Sequence, residues 1–309
     1  MSAMNKKTVI DTVRKIDVHV HTVYFPKIAL PRPDGSNYAS PEQLIAMYDE
    51  WGIEKGVLLP EITNECAYAQ STSEEVCTIA RRHPDRFLWF CNLSPRMGNN
   101  DEHTDFGFYL DHYKRLGAKG VGEVCANLPF DDPAYDNMLA ACAAYDMPVT
   151  IHISPTIGGN YGVYDEEGLP RLERMLKKHP RLRVFGHSQC FWEEISARTP
   201  GQARGSYPAG KVVPGRLQEL MRECPNLFCD LSAGSGGNAL MRDDDHAYRF
   251  IEEFGDRLLY GTDICSPSNY FPLGKWLDDR HAAGCISDRD YYLICRGNAV
   301  RELKLEESV

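Results

Sequence analysis

Lys15-Ile16-Asp17-Val18-His19-Val20-His21 is the stretch on which the fold turns. Its apolar members are β-branched and alternate with charged or imidazole side chains, the period-two pattern of a strand. Residues two apart in a strand face the same side, so His19 and His21 project together at its C-terminal end. Two imidazoles at one strand end are suited to gripping one metal ion.

Working outward, seven more mostly apolar runs follow, at 55–60, 87–93, 118–124, 148–153, 182–187, 226–231 and 257–263. Near-continuous apolar character of this kind belongs to parallel strands buried on both faces. The stretches between them read as helices with a shared ending: basic residues, then proline. Arg81-Arg82-His83-Pro84 and Lys177-Lys178-His179-Pro180 are two cases, and Arg222-Glu223-Cys224-Pro225 is a third. Cations favour a helix C-terminus and proline prevents continuation. Ser40-Pro41-Glu42-Gln43 opens a helix, with Ser40 as N-cap and Pro41 in the first turn. Eight strand–helix units without an intervening linker predict one (β/α)8 barrel over 1–309. The competing architecture, a doubly wound open sheet, often carries a Gly-rich phosphate turn after an early strand, and none follows His21. The longest connection, 188–214, is expected as a loop over the rim, with a second irregular stretch at 22–39.

The polar residues that end these runs are the candidate chemistry. The fourth run ends Gly120-Val121-Gly122-Glu123, the fifth Val149-Thr150-Ile151-His152 and the sixth Val184-Phe185-Gly186-His187. The eighth ends Leu259-Tyr260-Gly261-Thr262-Asp263. In a barrel all of these meet at one rim, where catalytic groups gather. Around them, Arg96 is a candidate for holding a substrate carboxylate. Trp192, with Phe191, is a candidate pocket wall, and Tyr161 a further substrate contact. The Gly-rich stretch 232–238 could supply backbone donors.

Composition narrows the partners. The chain has 309 residues, 43 % hydrophobic and 25 % charged, with a formal net charge of −10. That acidity disfavours extensive binding to nucleic-acid phosphates. No apolar run approaches the roughly 20 residues needed to span a bilayer, and the first 15 residues lack a secretory h-region. The 11 cysteines include no C-x-x-C pair; Cys91, Cys125 and Cys229 lie within or beside apolar runs and read as reduced, buried small hydrophobes. The expectation is a cytoplasmic enzyme with a small-molecule substrate, no nucleic-acid or membrane partner, and a homodimer as one option.

The Asp-x-His-x-His first run, the single histidines ending runs five and six, and the final aspartate together resemble the amidohydrolase superfamily. Phe185-Gly186-His187-Ser188, Leu259-Tyr260-Gly261-Thr262-Asp263 and Asn298-Ala299 resemble the branch that includes aminocarboxymuconate-semialdehyde decarboxylase and related hydrolases. The resemblance implies a divalent metal, zinc first and manganese or iron as alternatives. His19, His21, His152 and Asp263 would be ligands, and Asp263 would take a proton from the attacking water. His187 would be a ligand or a catalytic group beside the metal, and Asp17 a support for the ligands. The Gly122-Glu123 ending departs from that branch and is similar to TatD-type hydrolases. There a bridging glutamate would imply two ions, with His152 and His187 on the second. The implied activity is hydrolysis of a small lactone, amide or ester, one bearing a carboxylate among the options. The alternative is non-oxidative decarboxylation with the same residues; a TatD-like nuclease and a non-catalytic barrel rank below it.

Overall fold

The computed structural model describes residues 13–65 and 70–306; most of the stretch read above for a secretory signal, 1–12, lies outside them. All eight runs contain strands. In chain order these are β1 (Lys15–Val20), β2 (Ile53–Leu58), β3 (Phe87–Trp89), β4 (Val121–Val124) and β5 (Val149–Ser154). A two-residue β6 (Val163–Tyr164) then pairs with the end of β5, and was not expected from the sequence. The rest are β7 (Val184–His187), β8 (Leu227–Asp230) and β9 (Leu258–Leu259).

Every pairing is parallel, in the orders β1-β2-β3 and β4-β5-β7-β8-β9. The two arcs join into a (β/α)8 barrel through single bridges, Cys91 to Val121 on one side and Val20 to Ile264 on the other. At the second seam Val18 N–H donates to the Tyr260 carbonyl and Asp263 N–H to the His19 carbonyl.

The helices start where their sequences say they should. Ser40 caps α1 (Pro41–Trp51) with a reciprocal capping box to Gln43, and Thr72 caps α2 (Ser73–Arg82), which ends on Arg81 and Arg82. Each such cap is worth about 1 kcal/mol.

Inside the barrel, Ile16, Val18, Val57, Leu59, Phe90, Phe185, Phe228 and Leu259 form one buried cluster. Side chains from five strands and from Phe90, just past β3, can meet in this way only within the closed sheet. A register irregularity in β1 between Asp17 and Val20 lets Ile16 and Val18 join this layer while His19 and His21 converge higher up. Phe185 is fully buried there. Phe185→Ala is expected to cost about 3–5 kcal/mol, read from denaturant unfolding; a loss below about 1 kcal/mol would place that ring outside a sealed interior.

Two expectations about the loops are corrected. The connection 188–214 is not irregular throughout: it begins as a short α-helix (Gln189–Trp192), followed by a 3-10 turn at Glu193–Ile195. The remainder, 196–214, then closes on itself through an antiparallel bridge between Ser196 and Pro214. The Gly-rich stretch 232–238, read as a source of free backbone donors, forms most of an α-helix, Ala233–Met241, with Ser232 at its N-cap. Gly236 allows the helix to lie on the backbone of Leu231, which a Cβ would strike at 2.2 Å.

Candidate metal centre

His19 and His21 leave β1 with their ring orientations set by partners behind them. His19 Nδ1 lies 2.6 Å from Asp230 Oδ2, and His21 Nδ1 lies 3.0 Å from the Leu59 carbonyl oxygen. Both partners are acceptors, so each ring when neutral carries its proton on Nδ1 and presents Nε2 as a lone pair. The two Nε2 atoms face one another at 3.0 Å. Facing lone pairs repel unless a cation stands between them or one ring is protonated.

Two carboxylates close around that pair. Asp263 Oδ1 lies 3.6 Å from His19 Nε2 and 3.4 Å from His21 Nε2, and Glu123 Oε2 lies 3.6 Å from both. A four-coordinate ion with bonds of 2.0–2.1 Å separates its ligands by about 3.3 Å. The observed spacings of 3.0–3.6 Å bracket that value. The residues present therefore fit a divalent cation, by donor type and by spacing.

The remaining strand-end residues stand alongside. His152 turns Nδ1 to Glu123 Oε1 at 2.8 Å, and His187 Nε2 lies 3.8 Å from the same oxygen and 3.7 Å from Asp263 Oδ2. Ser232 Oγ holds His187 Nδ1 at 2.9 Å. The barrel thus brings together His19, His21, Glu123, His152, His187 and Asp263. Exposure orders them: His19, His21, Glu123 and His187 are buried, whereas the side chains of His152 and Asp263 are 12 % and 26 % exposed. Any substrate meets Asp263 and His152 first. Asp263 also takes a positive φ of 57°. That backbone region costs an aspartate of the order of 1 kcal/mol and is held here by the seam hydrogen bond to His19.

The charges are strongly coupled. Burial opposes the charging of His19, but Asp230, Glu123 and Asp263 outweigh it and hold its pKa well above the imidazole range. Burial likewise opposes ionisation of Glu123, yet His152 and His19 keep its carboxyl well below the usual carboxylate range. His187 goes the other way, pushed down to about 4 by burial and by the neighbouring His19. A cluster that favours both carboxylates ionised and a cation beside them is what a metal ion would occupy.

Asp17 does not face the cluster. It lies fully buried behind it, accepting from the Tyr48 hydroxyl at 2.7 Å, the Thr262 hydroxyl at 2.5 Å and the backbone N–H of His19 at 3.0 Å. It therefore ties the first strand to the last, and burial raises its own pKa to about 6.

Asp230 was missed by the sequence reading, and Ser232 entered it only as the first residue of the stretch 232–238. Asp230 ends its own apolar run, Leu227-Phe228-Cys229-Asp230, so the rule that found His187 and Asp263 would have found it. Gly261 makes its approach possible, since a Cβ there would meet Asp230 Oδ1 at 2.7 Å.

The three rim candidates divide. Tyr161 is at the site, its ring centroid 4.5 Å from that of His152. Arg96 pairs with Glu65 and lines a cleft of about 380 Å³ with Thr63, Asn64 and Tyr113, which none of the strand-end cluster lines. Trp192 is a correction: it is 2 % exposed, donates its indole N–H to the Asp230 carbonyl at 2.8 Å, and lies in the core rather than along a pocket. A large ring at the end of the short helix Gln189–Trp192 is drawn inward because burying it removes far more apolar surface from water than a rim position would.

A model of the amidohydrolase family, of the second amidohydrolase type, matches residues 16–305. The chain belongs to that family. Solved structures share this chain's fold at low identity. An uncharacterised TIM-barrel protein from Bordetella bronchiseptica is 18 % identical, with a TM-score of 0.65 over 94 % of this chain and 98 % of its own. A probable 2-pyrone-4,6-dicarboxylic acid hydrolase from Acinetobacter baumannii is 13 % identical, with a TM-score of 0.60 over 94 % and 99 %. A dihydroxybenzoic acid decarboxylase from a Polaromonas species, with manganese and an inhibitor bound, is 17 % identical, with a TM-score of 0.58 over 95 % and 98 %. No curated protein matches this sequence significantly.

Proposed function

We propose that this amidohydrolase is a metal-dependent hydrolase of small molecules, and that Glu123 shares its two oxygens between two cation sites. One observation carries the reading. Glu123 Oε2 faces the His19–His21 pair at 3.6 Å, while its Oε1 faces His152 at 2.8 Å and His187 at 3.8 Å. A carboxylate divided in this way is disposed as a bridge.

A bound divalent ion would supply a water acidified to a pKa of about 7 and a Lewis acid for the substrate carbonyl. The side chains do the rest. Asp263, the most exposed of the cluster, takes the proton from the attacking water and returns it to the leaving group. His187, kept neutral by burial, presents its Nε2 lone pair to the second cation site when its Nδ1–H donates to Ser232 Oγ. His19 stays oriented throughout by Asp230.

Arg32 supports an anionic group on the substrate, in place of the expected Arg96. Its guanidinium lies 4.7 Å over the Tyr38 ring, and Nη1 is buried with no hydrogen-bond partner among the described residues. Tyr38 in turn donates to Glu61, just past β2, and Thr22 beside His21 anchors the end of this loop through the Ala39 carbonyl at 2.7 Å. Tyr161 is the second contact proposed for substrate, and the partner is a small molecule rather than nucleic acid. No helix among the described residues is long and apolar enough to cross a membrane. The ten described cysteines are unpaired, eight of them buried, which supports the reducing environment of a cytoplasm.

A second reading keeps one ion. His19, His187 and Asp263 alone form a group that could hold it, and a decarboxylase such as the Polaromonas protein is named among the similar structures. Glu123→Gln separates the two readings, because a neutral amide is a poor bridge between cations. Zinc or manganese titrated into stripped protein should saturate at about two equivalents in wild type and about one in the variant. A wild type that saturates at one equivalent, unchanged in Glu123→Gln, would favour the decarboxylase.

A further inference from the structure

Cys125 follows Glu123 by two residues, just past the end of β4, and is only 3 % exposed. On composition it reads as one more small buried hydrophobe. Its surroundings are different. Cys125 Sγ, a Glu123 carboxylate oxygen and a ring nitrogen of His152 all lie within 4.8 Å of one another. Glu123 belongs equally to the group formed with His19 and His21. The two groups share this one residue and otherwise use different side chains.

The backbone around Cys125 is held for this arrangement. Gly162 N–H donates to the Cys125 carbonyl at 2.7 Å, and the Tyr135 hydroxyl donates to the next carbonyl, Ala126, at 2.6 Å. Gly162 also leaves room for the neighbouring ring, since a Cβ there would meet His152 Cδ2 at 2.8 Å. The residue that ties down the thiol segment is thus the one that admits the imidazole.

We propose that Cys125 is a thiolate ligand of a cation held with Glu123 and His152, next to the ion of the His19–His21 pair. The proposal rests on the bridging reading of Glu123, and it replaces His187 by Cys125 in the second ligand set. Binding would displace the thiol proton to solvent as the sulfur–metal bond forms. The donor types then differ between the two positions. Imidazole and carboxylate alone accept zinc, manganese or iron(II), whereas a thiolate selects softer ions such as zinc over manganese or magnesium. His187 is left free to act on substrate, as its contact with Ser232 permits.

Cobalt(II) titrated into metal-stripped protein tests this without reference to turnover. Wild type should develop a near-ultraviolet thiolate-to-cobalt charge-transfer band with the second equivalent. Cys265→Ser, which removes the thiol beside Asp263, should keep the band. Cys125→Ser should lack it, keep the first equivalent, and bind the second more weakly by at least the roughly 10–100-fold that loss of an outer partner costs. Cys125→Ala provides the same readout where a buried serine impairs folding, with circular dichroism as the check on both. A second equivalent that binds wild type without the band, or a band that survives in Cys125→Ser, overturns the ligand assignment and leaves the two-ion hydrolase standing. A wild type that takes only one equivalent overturns both.

Discussion

His19→Ala is expected to give a folded barrel that no longer retains metal at the first position and has lost its activity with it. The ring is fully buried, contributes one of two facing Nε2 donors, and is the only one of the pair backed by a carboxylate. Losing it removes a ligand outright, so affinity should fall by more than the roughly 10–100-fold typical of losing an outer partner. The fold should persist, because the barrel is held by apolar layers on both faces of the sheet. Its stability should nevertheless drop, since Asp230 is left buried without the imidazole it faces, a cost of about 1–3 kcal/mol. Elemental analysis with circular dichroism and a thermal melt reads all three effects. Full metal occupancy in His19→Ala would remove it from the ligand set.

Asp263→Asn should separate proton transfer from binding. The amide matches the carboxylate in shape, and His19, His21 and Glu123 still face the first position at their mutual spacings. Metal should therefore bind, more weakly. The rate should fall about 10²–10⁴-fold, the size of a lost general base, with the loss concentrated in kcat rather than KM. The basic limb of the kcat profile should not recover it, because an amide has no proton to lose at any working pH. A variant within a few-fold of wild type at saturating metal would show that the proton leaves by another group, of which His152 is the next most exposed.

The local order of this chain was legible in short windows. The period-two spacing of Asp17-Val18-His19-Val20-His21 is enough to aim two imidazoles together, and the strand expected over 15–21 runs 15–20. Ser40-Pro41-Glu42-Gln43 is enough to start α1, because a cap needs only a hydroxyl three residues from an N–H. Apolar runs closed by Glu123, His152, His187 and Asp263 gave the rim, since a parallel barrel sends every strand end to one side. The period-two rule also had a limit within the same seven residues. By that rule Asp17 would share the face of His19 and His21, but the register irregularity before Val20 leaves it bonded to Tyr48 and Thr262 behind the site.

Other features exist only once the barrel closes. Asp230 reaches His19 across 211 residues, a pairing that no local pattern encodes. Arg96 and Glu65 neutralise one another because the loops after β2 and β3 are neighbours, so a cation that looked free is already engaged. Trp192 points inward and 232–238 coils into a helix because burying apolar surface against the finished sheet outweighs what glycine and loop composition favour locally. The division of Glu123 between two groups of ligands depends on the positions of β1, β5 and β7 at once. Periodicity and capping are set by a few adjacent residues, whereas ligand sets and ion pairs are set by the distances between strands, which only packing and closure establish.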